Sequence, residues 1–215
     1  MIDEAALRAD LVRVAQAMDR AGLAPSKSGN VSCRLGNGLL ITPSGLPYAV
    51  MQPGDLVELA LDGSVRAGER KPSSEWPFHT TIYRARPDAK AIVHTHSPLA
   101  TALSCARRGI PAFHYMIALA GGPDIRCADY ATFGTQALAD NAVAALQGRK
   151  AVLLANHGVI ALGATIEGAY TIAAEVENLA RQYLALLSAG LEPVVLDAAE
   201  MERVAAKFAG YGKVG

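Results

Sequence analysis

Apolar positions along the chain follow two periods. Over residues 3–21, Ala6, Leu7, Leu11, Val14, Ala15 and Met18 recur at helical spacing and Gly22 follows as a stop, which predicts an amphipathic first helix. The period then shortens. SKSGNVSCRLGNGLLITPSG reads as two short strands turning at Asn37–Gly38, flanked by polar, glycine-containing loops at 26–30 and 42–45. DLVELALDGSVRAG reads as a second hairpin, turning at Asp62–Gly63. SSEWPFHTTIYRARP predicts a helix capped by a serine, with Pro77 in its first turn and Pro87 ending it. KAIVHTH predicts a short strand, and SPLATALSCARR a helix opening on Ser and Pro. GTQALADNAVAALQG predicts a helix, AVLLANHGVIALG a strand pair or one bent strand, and TIEGAYTIAAEVENLARQYLALLSAG a long helix before the closing segment LDAAEMERVAAKFAGYG.

Strands alternating with helices imply an α/β fold, and the hairpins imply a sheet that is mixed or partly antiparallel. No internal repeat, low-complexity tract or linker interrupts the pattern, so residues 1–215 are read as a single domain. Hydrophobic residues make up 51% of the chain, enough for a substantial core. Twenty basic side chains balance twenty acidic ones, which points away from nucleic acid and membrane surfaces as partners. Cys33, Cys105 and Cys127 are odd in number and widely spaced, so a disulfide framework is not expected. The acidic N-terminal stretch does not resemble a signal peptide, and no run approaches the roughly 20 apolar residues of a membrane span. A cytoplasmic location is the expectation. Neither a Gly-x-Gly-x-x-Gly fingerprint nor a phosphate-loop motif is present, so nucleotide binding has no support.

The candidate chemistry lies at the ends of apolar runs. His94 and His96 stand at i and i+2 of KAIVHTH, and alternate residues of a strand share a face, so both imidazoles can converge on one ion. His157 ends the apolar run of LLANHGV; alone it would read as a hydrogen-bonded turn histidine. Three such histidines supply most of a catalytic zinc shell. Glu75 is a fourth candidate at the start of a helix, where the dipole also favours a carboxylate for purely structural reasons. His79, four residues on, is its rival, and spacing does not choose between them. His114 reads as structural. Gly29–Asn30, Ser44–Gly45 and Ser73–Ser74 offer hydroxyls and backbone N–H groups that can hold a phosphate, or are ordinary turn and cap residues.

In order along the chain, KPSSEWPFHTTIYRARPDAKAIVHTHS, IPAFHYMIALAGG, YATFGT and LLANHGVIA resemble the class II aldolase family that contains L-fuculose-1-phosphate aldolase. The resemblance runs from the first helix to the long helix near residue 190. It implies one α/β domain with a central, mainly antiparallel sheet flanked by helices, in a homotetramer with active sites at subunit interfaces. By motif, the metal ligands fall on His94, His96 and His157, and the catalytic glutamate, which also ligates the metal, on Glu75. His79 matches no ligand position of the family. The phosphate site falls on Gly29, Asn30, Ser44, Gly45, Ser73 and Ser74. Tyr115 matches the tyrosine that protonates the aldehyde oxygen, and Phe133 and Tyr211 match the aldehyde side. The implied cofactor is zinc, with manganese or cobalt as alternatives, and the implied partner is a small phosphorylated sugar. Lys27 departs from the family pattern; it either adds a cation that strengthens the phosphate site or is solvated surface.

The activity so implied is reversible cleavage of a 1-phosphorylated ketose, of the L-fuculose 1-phosphate type, to dihydroxyacetone phosphate and a small aldehyde. The alternatives are a 5-deoxyribulose- or methylthioribulose-1-phosphate aldolase, or a dehydratase on the same scaffold. A decarboxylase is disfavoured by Ser74, where such a relative is expected to have lysine. A non-catalytic binding module would be expected to lose the ligand set that this chain keeps.

Overall fold

The computed structural model describes residues 3–210. Helix α1 (Glu4–Arg20) begins where the Asp3 carboxylate accepts from the Ala6 N–H, and it buries Leu11, Val14, Ala15 and Met18 as their spacing requires. Strands β1 (Gly29–Leu35), β2 (Gly38–Ile41), β3 (Val57–Ala60) and β4 (Val65–Ala67) form the two hairpins. The remaining strands are β5 (Ala91–Thr95), β6 (Arg126–Ala128), β7 (Ala151–Leu154) and β8 (Gly158–Gly163). They interleave with α2 (Trp76–Ala85), α3 (Pro98–Cys105), α4 (Gln136–Ala145), α5 (Ile166–Ser188) and α6 (Ala198–Gly210).

All eight strands join one sheet in the order β4-β3-β2-β1-β5-β8-β7-β6. Every pairing is antiparallel except β6 with β7. Side chains alternate across the sheet into two cores. Val31, Val93, Leu153 and Val159 pack on the face covered by α1, α3, α5 and α6. Ile41, Ile92, Val152 and Ile160 pack on the face covered by α2 and α4. AVLLANHGVIALG is a strand pair, and its tight turn lies beside the end of β5.

Three local expectations change. Leu35 pairs with Gly38, so the first hairpin turns on Gly36–Asn37, one residue earlier than expected, with Gly36 at φ 54° as a tight hairpin requires. No serine oxygen caps α2: Glu75 occupies its N-cap, and Ser73 Oγ accepts only the Glu75 N–H, at 3.3 Å. Ser97 does not cap α3 either; the carboxylate of Glu177, far away on α5, accepts from Leu99 N at 3.0 Å and Ala100 N at 2.9 Å. Strand β6 was not expected, because three residues containing Arg126 and Cys127 show no apolar alternation.

Candidate metal centre and its cleft

Strand β5 delivers the first two histidines. His94 is its penultimate residue and His96 follows its end. His157 sits in the β7–β8 turn, directly after Asn156 at φ 56°. The next residue is Gly158, where a Cβ would stand 2.3 Å from the carbonyl oxygen of Thr95, so only glycine lets this turn approach β5. Glu75 enters from the N-terminal end of α2.

These four side chains converge. Each offers one ligand atom, and those atoms lie within 4.8 Å of one another. His94 Nε2 is 3.0 Å from His96 Nε2 and 3.0 Å from Glu75 Oε2, and His157 Nε2 is 3.0 Å from Glu75 Oε1. His94 Nδ1 donates to the Val159 carbonyl at 2.8 Å, which leaves the Nε2 lone pair facing the cluster. Although His157 is close to Glu75 Oε1, the two are not aligned as a hydrogen bond, and Oε1 is buried without a hydrogen-bond partner. Electron-rich atoms this close repel unless a cation lies among them. Three imidazoles and one carboxylate with an orphaned oxygen therefore fit a divalent metal ion.

Electrostatics agree with that reading. Burial pushes the His96 imidazole down to about 3, with His94 and His157 adding to the effect, so its lone pair is free at neutral pH. Burial alone would push the Glu75 carboxyl up, but the facing His94 and His157 outweigh it and hold the group well below the usual carboxylate range.

Beside the cluster lies a cleft of about 310 Å³. Gly29, Asn30, Ser44, Gly45, Ser73 and Ser74, predicted as phosphate ligands, all line it, together with Glu75, His96 and His157. Backbone pairing explains why separate loops meet there: Ser73 N donates to Thr42 O at 3.1 Å and Ser44 N to Lys71 O at 3.0 Å. Gly29 is held at φ +132° with its would-be Cβ only 2.7 Å from the His94 carbonyl, which locks the first loop against β5. Among the described residues, Lys27 is the one lysine or arginine on the cleft wall. Phe133 also lines the cleft and is 65% exposed.

Tyr115 lies elsewhere. It begins a short 3-10 turn (Tyr115–Ala120), is half exposed, and lines a separate apolar cavity with Phe113, Val204 and Phe208. Tyr211 lies outside the described residues. His114 caps the 3-10 turn, its Nδ1 accepting from Met116 N, which agrees with a structural role. His79 is fully buried and does not belong to the metal cluster; it touches Asn30 and Ser32 instead. Tyr48, Tyr130 and Asn156 line the cleft without having been singled out in the sequence. Asn156 carried a signal as the residue before His157 in a Gly-containing turn, and Tyr130 as the first residue of YATFGT; Tyr48 carried none.

Comparison with known proteins gives the same answer as the geometry. Residues 9–184 match the family described as Class II Aldolase and Adducin N-terminal domain. A 5-methylthioribulose-1-phosphate/5-deoxyribulose-1-phosphate aldolase from Rhodospirillum rubrum is 54% identical over 207 residues, covering 96% of this chain and 93% of that protein. An L-fuculose phosphate aldolase from Escherichia coli is 47% identical over 196 residues, covering 91% of this chain and 90% of its own. A solved L-fuculose 1-phosphate aldolase superposes with a TM-score of 0.91 at 42% identity, covering 95% of this chain and 96% of its own. On fold, ligand cluster and sequence together, the chain belongs to the class II aldolase family.

Proposed function

We propose that the protein cleaves a 5-substituted ribulose 1-phosphate, of the methylthioribulose or deoxyribulose type, to dihydroxyacetone phosphate and an aldehyde, using zinc held by Glu75, His94, His96 and His157. The observation that carries the chemistry is the convergence of these four groups beside a cleft lined by hydroxyls and backbone N–H groups. The substrate class rests on the 54% identity to the Rhodospirillum rubrum enzyme. L-Fuculose 1-phosphate is the second reading, supported by the L-fuculose phosphate aldolases that match nearly the whole chain.

When bound, a divalent ion supplies a Lewis acid that polarises a carbonyl and stabilises negative charge on neighbouring oxygens. The chain does the rest. Ser44, Ser73 and Ser74 hold the phosphate, and Lys27 supplies a counter-charge at the wall. Loss of the C4-hydroxyl proton breaks the C3–C4 bond, releases the aldehyde and leaves the electron pair on C3. Glu75, once it has taken up a proton from solvent, delivers it to C3, and in the synthetic direction the ionised carboxylate removes a proton from C3. Tyr115 exchanges the proton of the aldehyde oxygen. Its cavity is distinct from the cleft of its own protomer, so we assign that role to the Tyr115 of a neighbouring copy in a homotetramer.

A coupled assay for dihydroxyacetone phosphate, with and without chelator, tests the reading on the three sugar phosphates. Chelator-sensitive release, fastest from a ribulose phosphate, is the expected result. A zinc-loaded protein that releases none from any of them excludes the aldolase and favours a dehydratase.

A further inference from the structure

Behind Glu75, between α2 and the sheet, runs a line of polar side chains, of which Ser32, His79 and Tyr83 have no part in the proposed reaction. Asn30 and Ser32 project from the same face of β1, at i and i+2. Glu75, His79 and Tyr83 lie at i, i+4 and i+8 along one side of α2. The two sets interlock. Tyr83 Oη is 2.9 Å from Ser32 Oγ, which is 2.7 Å from His79 Nδ1. His79 Nε2 in turn meets Asn30 Oδ1, and Asn30 Nδ2 donates to Glu75 Oε2 at 3.0 Å. Asn30, Ser32, His79 and Tyr83 are all buried, so each unmade bond here would be costly.

The direction of every bond follows from one charge. An ionised Glu75 only accepts, so the Asn30 amide must turn its nitrogen toward Oε2 and its oxygen toward His79. His79 must then carry its proton on Nε2. Deep burial keeps that imidazole neutral, its pKa pushed down to about 3, so Nδ1 is bare and accepts from Ser32. The Ser32 oxygen is left to accept from the Tyr83 hydroxyl, which burial keeps protonated. No other arrangement satisfies all four side chains at once. Arg34, next on the same strand face, closes the far end with its guanidinium 4.7 Å above the Tyr83 ring and Nη2 bonded to the Tyr83 carbonyl.

We propose that His79 is a positioning residue: held by Ser32 and Tyr83, it fixes the Asn30 amide so that its nitrogen faces Glu75, and thereby sets where the carboxylate stands at the metal centre. This rests on the aldolase reading for the consequence to turnover, but not for the hydrogen-bond order itself. If the Asn30 amide were free to flip, its oxygen would face Glu75 Oε2 and repel it. The carboxylate would then leave both its ligand position and its place for proton transfer.

Long-range proton–nitrogen spectra of the imidazoles, on the metal-free full chain, read the arrangement directly. The His79 signal is assigned by its loss in His79→Gln. The expected spectrum has the His79 proton on Nε2 in the wild type, and a share of the opposite tautomer in Ser32→Ala. For His79→Leu, kcat and zinc affinity are each expected to fall about 10- to 100-fold, the usual effect of removing a partner behind a metal ligand, while KM stays within about twofold. His79→Gln, able to donate to Asn30 and accept from Ser32, should recover most of that loss. Ser32→Ala, the mildest change, should lower kcat in the same sense and carries the test if His79→Leu does not fold. A wild-type proton on Nδ1 would overturn the proposal, as would folded His79→Leu or Ser32→Ala variants with unaltered kcat and zinc affinity. If the wild type releases no dihydroxyacetone phosphate, the aldolase reading fails, while the tautomer and the zinc affinity still decide what His79 does.

Discussion

The metal cluster and the Tyr115 region are built in opposite ways. Glu75, His94, His96 and His157 come from strand ends, a tight turn and a helix N-terminus, and three of them are held from behind. Val159 fixes His94, Asn30 fixes Glu75, and Gly158 seats the His157 turn. Tyr115, by contrast, starts a 3-10 turn, is 50% exposed, and stacks loosely on Phe208 of α6 at 6.3 Å between ring centroids. The four candidate ligands meet within one chain, whereas Tyr115 lines a cavity other than the cleft beside them. The contrast teaches that four ligands can be brought together by strand ends and a tight turn of one sheet, while the exposed Tyr115 is not tied to that framework.

The largest effect should come from breaking the rigid end. His94→Ala removes a central ligand and leaves a buried hole. Zinc content is expected to fall to background and turnover with it, a loss of about 1,000-fold or more given the barrier lowering a catalytic metal provides. Metal analysis of the purified variant checks it; full zinc occupancy would contradict the ligand set.

A smaller loss, about 100-fold in kcat, is expected for Tyr115→Phe with zinc content unchanged, in line with removal of a general acid. Mixing sharpens the comparison. Co-expressed Glu75→Gln and Tyr115→Phe chains should regain activity above either parent, because some sites would combine an intact Glu75 with an intact Tyr115 from a neighbour. No regain on mixing would place Tyr115 in its own protomer's chemistry, or outside the chemistry altogether.

Lys27 is exposed, so a modest contribution to the proposed phosphate binding is expected from it. KM for Lys27→Met should rise about two- to fivefold at low salt, the range of an exposed ion pair, with kcat retained. The difference should shrink as salt is added. Steady-state kinetics at two ionic strengths would check both statements.

The smallest effect concerns pH and the metal-free protein. Burial lowers the His79 pKa from 6.5 to about 3, so between these values the unfolded chain binds a proton there that the folded chain does not. Stability therefore falls as pH drops from 6.5, by up to about 1.4 kcal/mol per pH unit from this group. Above pH 4.5, where the unfolded Glu75 is still ionised, His79→Gln should flatten that slope. Denaturant unfolding at pH 6.5, 5.5 and 4.5 would measure it.

Much of the site was legible along the chain because its parts are local. His94 and His96 are two residues apart on a strand, and that period alone puts both rings on one face. His157 and Glu75 could be suspected from the ends of their elements, but spacing left His79 as an equal rival to Glu75. The structure separates them by depth: His79 is one helical turn further in, facing β1, and Asn30 stands between it and the cluster. The long-range cap of α3 by Glu177 and the parallel strand β6 were invisible for a related reason. Both are created by partners distant in sequence, and neither leaves a period.

By itself, then, the sequence determined the element types, the α/β class and the residue kinds that could bind a metal, since these depend on side-chain periodicity and intrinsic chemistry. Only the tertiary structure decided which carboxylate meets the histidines, which amide and imidazole stand behind it, and that Tyr115 lines a cavity separate from the cleft. Those outcomes depend on strand order and on how α2 crosses the sheet. Packing of the whole chain fixes such distances, and no window of residues contains them.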